Sequence, residues 1–228
     1  MKKKGILIAV EGISGSGKSE GIKEVFEYYK SRGYRASIVE WNSNKRIRCL
    51  MELLNRRKLL TPLVYSVLQW LSFYIDYFIK IMPLLKRGYV VIADRYVYTA
   101  LTRDVVNGAG TAHGLILRSI AAEPDLLMFF DTSPHVCHDR ISLRGKALFH
   151  TNKFIMNSRL LKNKDLYYLK RLRREYLKLL SKLNTDKDMH IAFINDCSTD
   201  ISKHIDCYMD IKKGRAGISG DKTQISLK

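Results

Sequence analysis

The sequence predicts an α/β domain, a doubly wound sheet with right-handed crossovers, on three observations. Five short apolar runs are spread along the chain, longer stretches with helical periodicity lie between them, and a glycine-spaced loop joins the first run to the first helix. The runs are "GILIAV" (5–10), "RASIVEW" (35–41), "YVVIAD" (89–94), "DLLMFFD" (125–131) and "HIAFIN" (190–195). Each is nearly continuous in apolar character, which suits a parallel strand covered on both faces. Ligands of such sheets bind beyond the carboxyl ends of the strands.

The helices follow from spacing. "GKSEGIKEVFEYYKSRG" (17–33) sets Ile22, Val25, Phe26 and Tyr29 on one face and stops at Gly33. "LVYSVLQWLSFYIDYFIKIMPLLKRG" (63–88) reads as one long, mostly apolar helix that also ends at glycine. "KDLYYLKRLRREYLKLLSKL" (164–183) gathers Leu166, Leu169, Leu172, Tyr176, Leu179 and Leu180 into a stripe opposite Lys and Arg.

Composition narrows the partners. A chain of 228 residues with 46% hydrophobic residues buries one substantial core, so residues 1–210 are expected to form a single domain. Thr, Pro, Ser and Gln interrupt the apolar stretch 59–75, so no membrane span is expected. The apolar run after "MKKKG" reaches Glu11 too soon for a signal peptide, and the four cysteines show no CxxC spacing; both point to a cytoplasmic protein with reduced thiols. The excess of 40 Lys+Arg over 22 Asp+Glu, a formal charge of +18, favours anionic partners. Part of it sits in the Gly-, Ser- and Lys-rich tail 211–228, expected to be disordered. No basic segment interleaved with stacking aromatics is visible, so nucleic acid is not the expected partner.

The chemistry starts in the loop. Gly12-Ile13-Ser14-Gly15-Ser16-Gly17-Lys18-Ser19 fits GxxxxGK[ST] in full and stands after a strand and before a helix. Its glycines let successive N–H groups wrap a nucleotide phosphate, with Lys18 placed to neutralise β and γ oxygens and the Ser19 hydroxyl to ligate Mg²⁺. The loop so implies a nucleotide with Mg²⁺, and by itself does not separate a kinase from a GTPase, an ATPase motor or a helicase. A second segment, "VVIADRYVYTALTRD" (90–104), puts Asp94 and Arg95 at the end of another strand, in the same crevice. There Asp94 serves a metal ion or an attacking group, and Arg95 offers a bidentate fork for a second phosphate.

Four blocks in order, "VEGISGSGKS", "GYVVIADRYVYTA", "EPDLLMFFDTSPHVCHDRISLRG" and "LYYLKRLRREYLKLL", resemble those of thymidylate kinases over most of residues 5–210. The resemblance implies a P-loop kinase fold: a five-stranded parallel sheet flanked by helices, with a lid segment near 141–160. It also implies γ-phosphoryl transfer from ATP to a nucleoside monophosphate, dTMP by default, and a possible homodimer through the helix 63–82. Carried over one at a time, Lys18 and Ser19 match the phosphate lysine and magnesium hydroxyl, Asp94 the acidic residue near the metal, and Arg95 the acceptor-phosphate clamp. The family's transferring phosphoryl is met by a loop or lid arginine. Gly15 stands in the loop here, so Arg144 and Arg140 become the candidates, with Lys146 and Lys153 behind them.

The acceptor side departs from that pattern. Ser14 replaces the usual loop carboxylate, and "EWNSNKRI" (40–47) replaces an Arg-Glu-Pro-Gly-Gly run, with Lys45 or Arg46 as substitutes. The family's stacking aromatic falls at Gln69, its base-binding arginine at Phe73, and its Tyr-Gln pair at Arg103-Asp104. Trp70 and Phe73 are therefore the candidate ring partners, with Glu11, Arg103 and Asp104 as further acceptor contacts. A kinase of another small phosphate acceptor, and a nucleotide-binding regulator without transfer activity, stay open as alternatives.

Overall fold

The computed structural model describes residues 5–145, 148, 155, 157–159, 161–183, 189–195 and 201–221, with side chains described through 212. Five strands form one parallel sheet in the order β2-β3-β1-β4-β5: β1 (Ile6–Gly12), β2 (Ala36–Glu40), β3 (Val90–Asp94), β4 (Leu126–Phe130) and β5 (His190–Ile194). Each falls within two residues of its apolar run.

Period-two alternation divides the sheet between two cores. Leu7 and Ala9 of β1 face one side with Val91, Leu127 and Phe129, and that side is covered by α3 (Pro62–Asp76), α5 (Val97–Asn107) and α8 (Lys164–Leu183). Ile6, Ile8 and Val10 face the other with Ile92 and Met128, beneath α1 (Lys18–Ser31) and α9 (Ile201–Asp221). All seven residues of β1 are buried, which accounts for its unbroken apolar reading. The remaining helices are α2 (Lys45–Arg56), α4 (Met82–Lys86), α6 (Ala112–Arg118) and α7 (Pro134–Leu143).

Two expectations need correction. The long helix 63–88 is broken into α3 and α4 by a π-helical segment, Tyr77–Ile81. Pro83 supplies the reason: it lacks an N–H and its ring crowds the carbonyl one turn back, so the preceding turn widens, and Met82 N–H bonds the carbonyl of Tyr77 instead. The segment 211–228, expected to be disordered, is helical through Asp221, because α9 anchored by Ile201, Ile205 and Tyr208 carries on into it. Residues 222–228 lie outside the described residues, as does half of the expected lid 141–160, Lys146 and Lys153 included.

Candidate active site

The carboxyl ends of β1 and β3 meet in register, with Val10 beside Asp94, and Glu40 of β2 flanks Asp94 on its other side. The loop after β1 rises between them. Gly12, Gly15 and Gly17 have φ of 147°, 84° and 92°, a region that costs glycine nothing and other residues strain. At Gly15 space is decisive as well: a Cβ there would lie 2.5 Å from the carbonyl oxygen of Cys137 in α7. The close approach lets Arg140, one turn on from Cys137, donate from Nη1 to the carbonyl of Gly15 at 3.2 Å. The cation that the loop itself lacks is thus delivered by α7, while Arg144, the C-cap of that helix, lines the pocket.

The pocket, about 190 Å³, is bounded by Ser14, Gly15, Ser16, Gly17, Lys18, Ser19 and Glu20 from the loop and α1, and by Asp94, Arg95 and Arg144 across it. Lys18 is buried, with Nζ donating to the carbonyl of Ile13 at 2.7 Å and to Ser16 Oγ at 3.2 Å. Burial, followed by the nearby Arg95 charge, holds its ammonium well below the usual lysine range. Ser19 and Asp94 present a hydroxyl and a carboxylate to the same space, a donor set that fits Mg²⁺, a hard ion bound through few carboxylates and phosphate oxygens.

Arg95 carries a backbone feature that its motif does not announce. Its φ is 72°, in the left-handed region a non-glycine residue adopts at a cost of about 1 kcal/mol or more. That backbone turns its guanidinium back over the loop, where Nη1 donates to the Gly12 carbonyl at 3.1 Å and Nη2 to Ser14 Oγ at 3.5 Å. Arg95 and the loop therefore form one unit, and Ser14 is part of it.

Four of the acceptor-side candidates, Glu11, Trp70, Phe73 and Asp104, are buried, each with protein partners. Glu11 is fully buried and works as a remote cap for α5: its carboxylate accepts from Tyr96 N–H at 2.8 Å, Thr99 N–H at 3.2 Å, Thr99 Oγ1 at 2.6 Å and Tyr176 OH at 2.9 Å. Desolvation raises its pKa, against the Thr99 hydroxyl bond and the Arg95 charge, which lower it. Phe73 is core, stacked on Trp41 and Tyr77 and edge-on to Tyr96. Trp70 is core too, its Nε1 donating to Asp104 at 2.9 Å, and the buried Asp104 carboxylate also meets His113 at 3.3 Å. Trp70 and Asp104 are sealed where α3 packs on α5, and Glu11 lies within the sheet at the end of β1. Arg103 is only half-buried and donates to Tyr65 OH at 3.3 Å and Gln69 Oε1 at 3.2 Å. Lys45 and Arg46 are exposed at the start of α2, whose cap Asn44 accepts from Arg46 N–H and Ile47 N–H.

Two supports were missed by motif reading. Asp131, just past β4, pairs with both ends of the Arg173 guanidinium at 2.6 and 2.8 Å, tying α8 to the sheet edge. Asp76, at the end of α3, accepts from Ser43 N–H at 3.1 Å and Ser43 Oγ at 2.7 Å, pinning the loop after β2. Only the aspartate of the DLLMFFD run gave any sign of this.

A parallel sheet whose first strand opens into a GxxxxGK[ST] loop, faced by Asp94 at a strand end, by Arg95 and by helix-borne cations, is the arrangement of a P-loop phosphotransferase of the nucleotide kinase class. The model of the thymidylate kinase family matches residues 10–194, and the chain belongs to that family. Among relatives, a protein named probable thymidylate kinase 2 from Saccharolobus solfataricus is 36% identical over 138 residues, 60% of this chain and 64% of the relative. That match spans less than two thirds of the relative's length. A probable thymidylate kinase of Archaeoglobus fulgidus is 25% identical over 212 residues, 91% of this chain and 98% of its own. A thymidylate kinase of Caldicellulosiruptor saccharolyticus is 31% identical over 151 residues, 63% and 72% of the two chains.

Proposed function

We propose that the protein transfers the γ-phosphoryl group of ATP to a nucleoside monophosphate, with dTMP as acceptor and dTDP and ADP as products. The observation that carries this reading is the convergence of Lys18, Ser19, Asp94, Arg95 and Arg144 in one pocket, in a chain of the thymidylate kinase family. The loop N–H groups and the start of α1 hold the donor's β-phosphate. Lys18 exchanges the Ile13 carbonyl for donor oxygens, and Arg95 holds the acceptor phosphate in line. An acceptor phosphate oxygen then bonds to the γ-phosphorus as the β–γ bridging bond breaks. Arg140 and Arg144 reduce the charge that builds up between them. Bound at Ser19 and Asp94, Mg²⁺ supplies screening of the donor phosphates.

The test is a transfer assay with ATP and Mg²⁺ against dTMP, dUMP, dCMP, dGMP and AMP. Stoichiometric dTDP and ADP are expected; no turnover of any monophosphate overturns the reading. A second reading, a kinase of another small acceptor on the same scaffold, draws on the enclosure of Phe73 in the core. Turnover of a panel member other than dTMP as the preferred acceptor selects it.

The protein is also proposed to be a homodimer. Along α3 and the π segment, Leu63, Val67, Leu71 and Phe78 are each about half exposed, and Leu115, Ile116 and Ile120 continue the patch around α6. These two elements adjoin, since Tyr74 OH donates to the Leu117 carbonyl. Apolar surface this continuous marks an interface. Light scattering of the purified protein at twice the monomer mass is the expected result, and Leu71→Glu should return it to monomer. No helix among the described residues is long and apolar enough to cross a membrane.

A further inference from the structure

We infer that a second cavity, between α5, α6 and α8, binds a small monoanion with an apolar body, an alkyl carboxylate by chemical class. The cavity measures about 360 Å³, within the range of small-molecule sites and larger than the pocket at the phosphate loop. Leu101 and Thr102 of α5 form its buried floor, Val105 and Leu179 its half-buried walls, and Leu115 of α6 borders it with more than half of its surface exposed. The Thr102 hydroxyl donates inward to the carbonyls of Tyr98 and Thr99, at 2.9 and 3.1 Å, so its hydrogen is not offered to the cavity. Walls of this kind favour hydrocarbon over ordered water, which needs two to four polar partners.

Charge sets the other end of the ligand. Three charged side chains line the cavity, Glu175, Lys178 and Lys182, all from α8. Lys178 bonds back to Glu175 at 3.2 Å and Lys182 follows one turn later, so the rim carries a net single positive charge. Lysine stems cover apolar surface while their ammonium heads stay in water. A carboxylate held by Lys178 and Lys182 balances the rim, and its chain runs inward over Leu179, Val105 and Leu101.

The site is separate from the transfer pocket. Leu101 and Val105 stand two positions either side of Arg103, which places them about 160° around α5 from it. Arg103 faces Tyr65 and Gln69 of α3, so the cavity lies on the opposite side of the helix. The inference therefore does not depend on which acceptor the protein uses.

The test is titration of the full chain with sodium decanoate and, in parallel, with decylammonium chloride, the same chain with the opposite charge, followed by NMR of the leucine and valine methyl groups. Decanoate should shift the Leu101, Val105 and Leu179 methyls saturably, with a dissociation constant of about 1 mM or tighter. It should bind about 5-fold or more tighter than decylammonium, because the two heads meet the same rim with opposite sign. Lys182→Glu turns the rim charge to minus one and should invert that preference. Leu179→Trp fills the cavity and should abolish binding of both; if that variant unfolds, the inversion decides alone. Absence of shifts up to about 10 mM decanoate overturns the inference, as does a preference that Lys182→Glu leaves unchanged or undiminished binding to folded Leu179→Trp. Shifts at Leu63, Val67 and Leu71 instead would put the chain on the proposed dimer patch and overturn it as well.

Discussion

The donor and acceptor halves of the site are built by different means. The donor-side candidates form one contiguous stretch, Gly12 to Ser19, in which three glycines take positive φ and Lys18 is buried. The acceptor-side candidates come from separate elements: Arg95 follows β3, Trp70 and Phe73 lie on α3, and Arg103 and Asp104 lie on α5. A contiguous loop announces itself by its spacing, whereas residues gathered from several elements carry no spacing to read. The comparison teaches that the donor half is written in the local sequence and the acceptor half only in the packing.

The predictions separate these halves, beginning with the largest effect. Lys18→Met should lower kcat about 10³-fold while the melting temperature holds, since its charge acts on the transferring group; near-normal turnover in a steady-state assay would remove Lys18 from the mechanism. Arg95→Gly dissociates function from stability. It removes the clamp, raising the acceptor KM by about 100-fold, and it relieves the left-handed backbone, so denaturant titration should show a loss of less than about 0.5 kcal/mol or a gain of up to about 1 kcal/mol. A large stability loss would mean that the bonds to Gly12 and Ser14 outweigh the strain.

Glu11 allows a comparison of charge with shape. Glu11→Ala strands two N–H groups and two hydroxyls in the core and should cost about 3 kcal/mol or more in chemical denaturation. Glu11→Gln keeps the acceptor for Tyr96 and Thr99 N–H and turns a donor to the hydroxyls, so it should fold normally. The pH dependence then tells them apart. Because the folded pKa of Glu11 lies above its ordinary 4.5, the folded state binds the proton more tightly. Stability from this group is greatest below 4.5 and declines as pH rises through the folded value. Unfolding titrations of Glu11→Gln should lack that decline; an identical slope in both proteins would assign it elsewhere.

Gly15→Ala tests how α7 is seated, with a smaller expected effect. Its Cβ would collide with the Cys137 carbonyl at a φ of 84°, so a loss of about 2 kcal/mol is expected, with the Arg140 bond to Gly15 displaced. Unchanged melting and activity would show that α7 moves freely over the loop.

Much of the fold was legible because burial on both faces leaves an uninterrupted apolar run, and β1 is the extreme case. The loop was legible because backbone binding demands glycines at set places. The break at Tyr77–Ile81 was not, since apolar periodicity carries through it and Pro83 acts one turn upstream of itself. The partners of Trp70, Phe73 and Asp104 were not legible, because spacing along a helix does not tell which neighbouring element a side chain meets; it is the packing of α3 on α5 that sets Trp70 on Asp104 and Gln69 on Arg103.

The central claim is that one phosphate loop and one strained arginine align donor and acceptor across a single pocket. A crystal structure of the protein with a non-hydrolysable ATP analogue, Mg²⁺ and dTMP tests it most directly. The account predicts the analogue's β-phosphate within the Gly12–Ser19 loop and the dTMP phosphate on the Arg95 guanidinium. A dTMP phosphate bound away from Arg95 would contradict it.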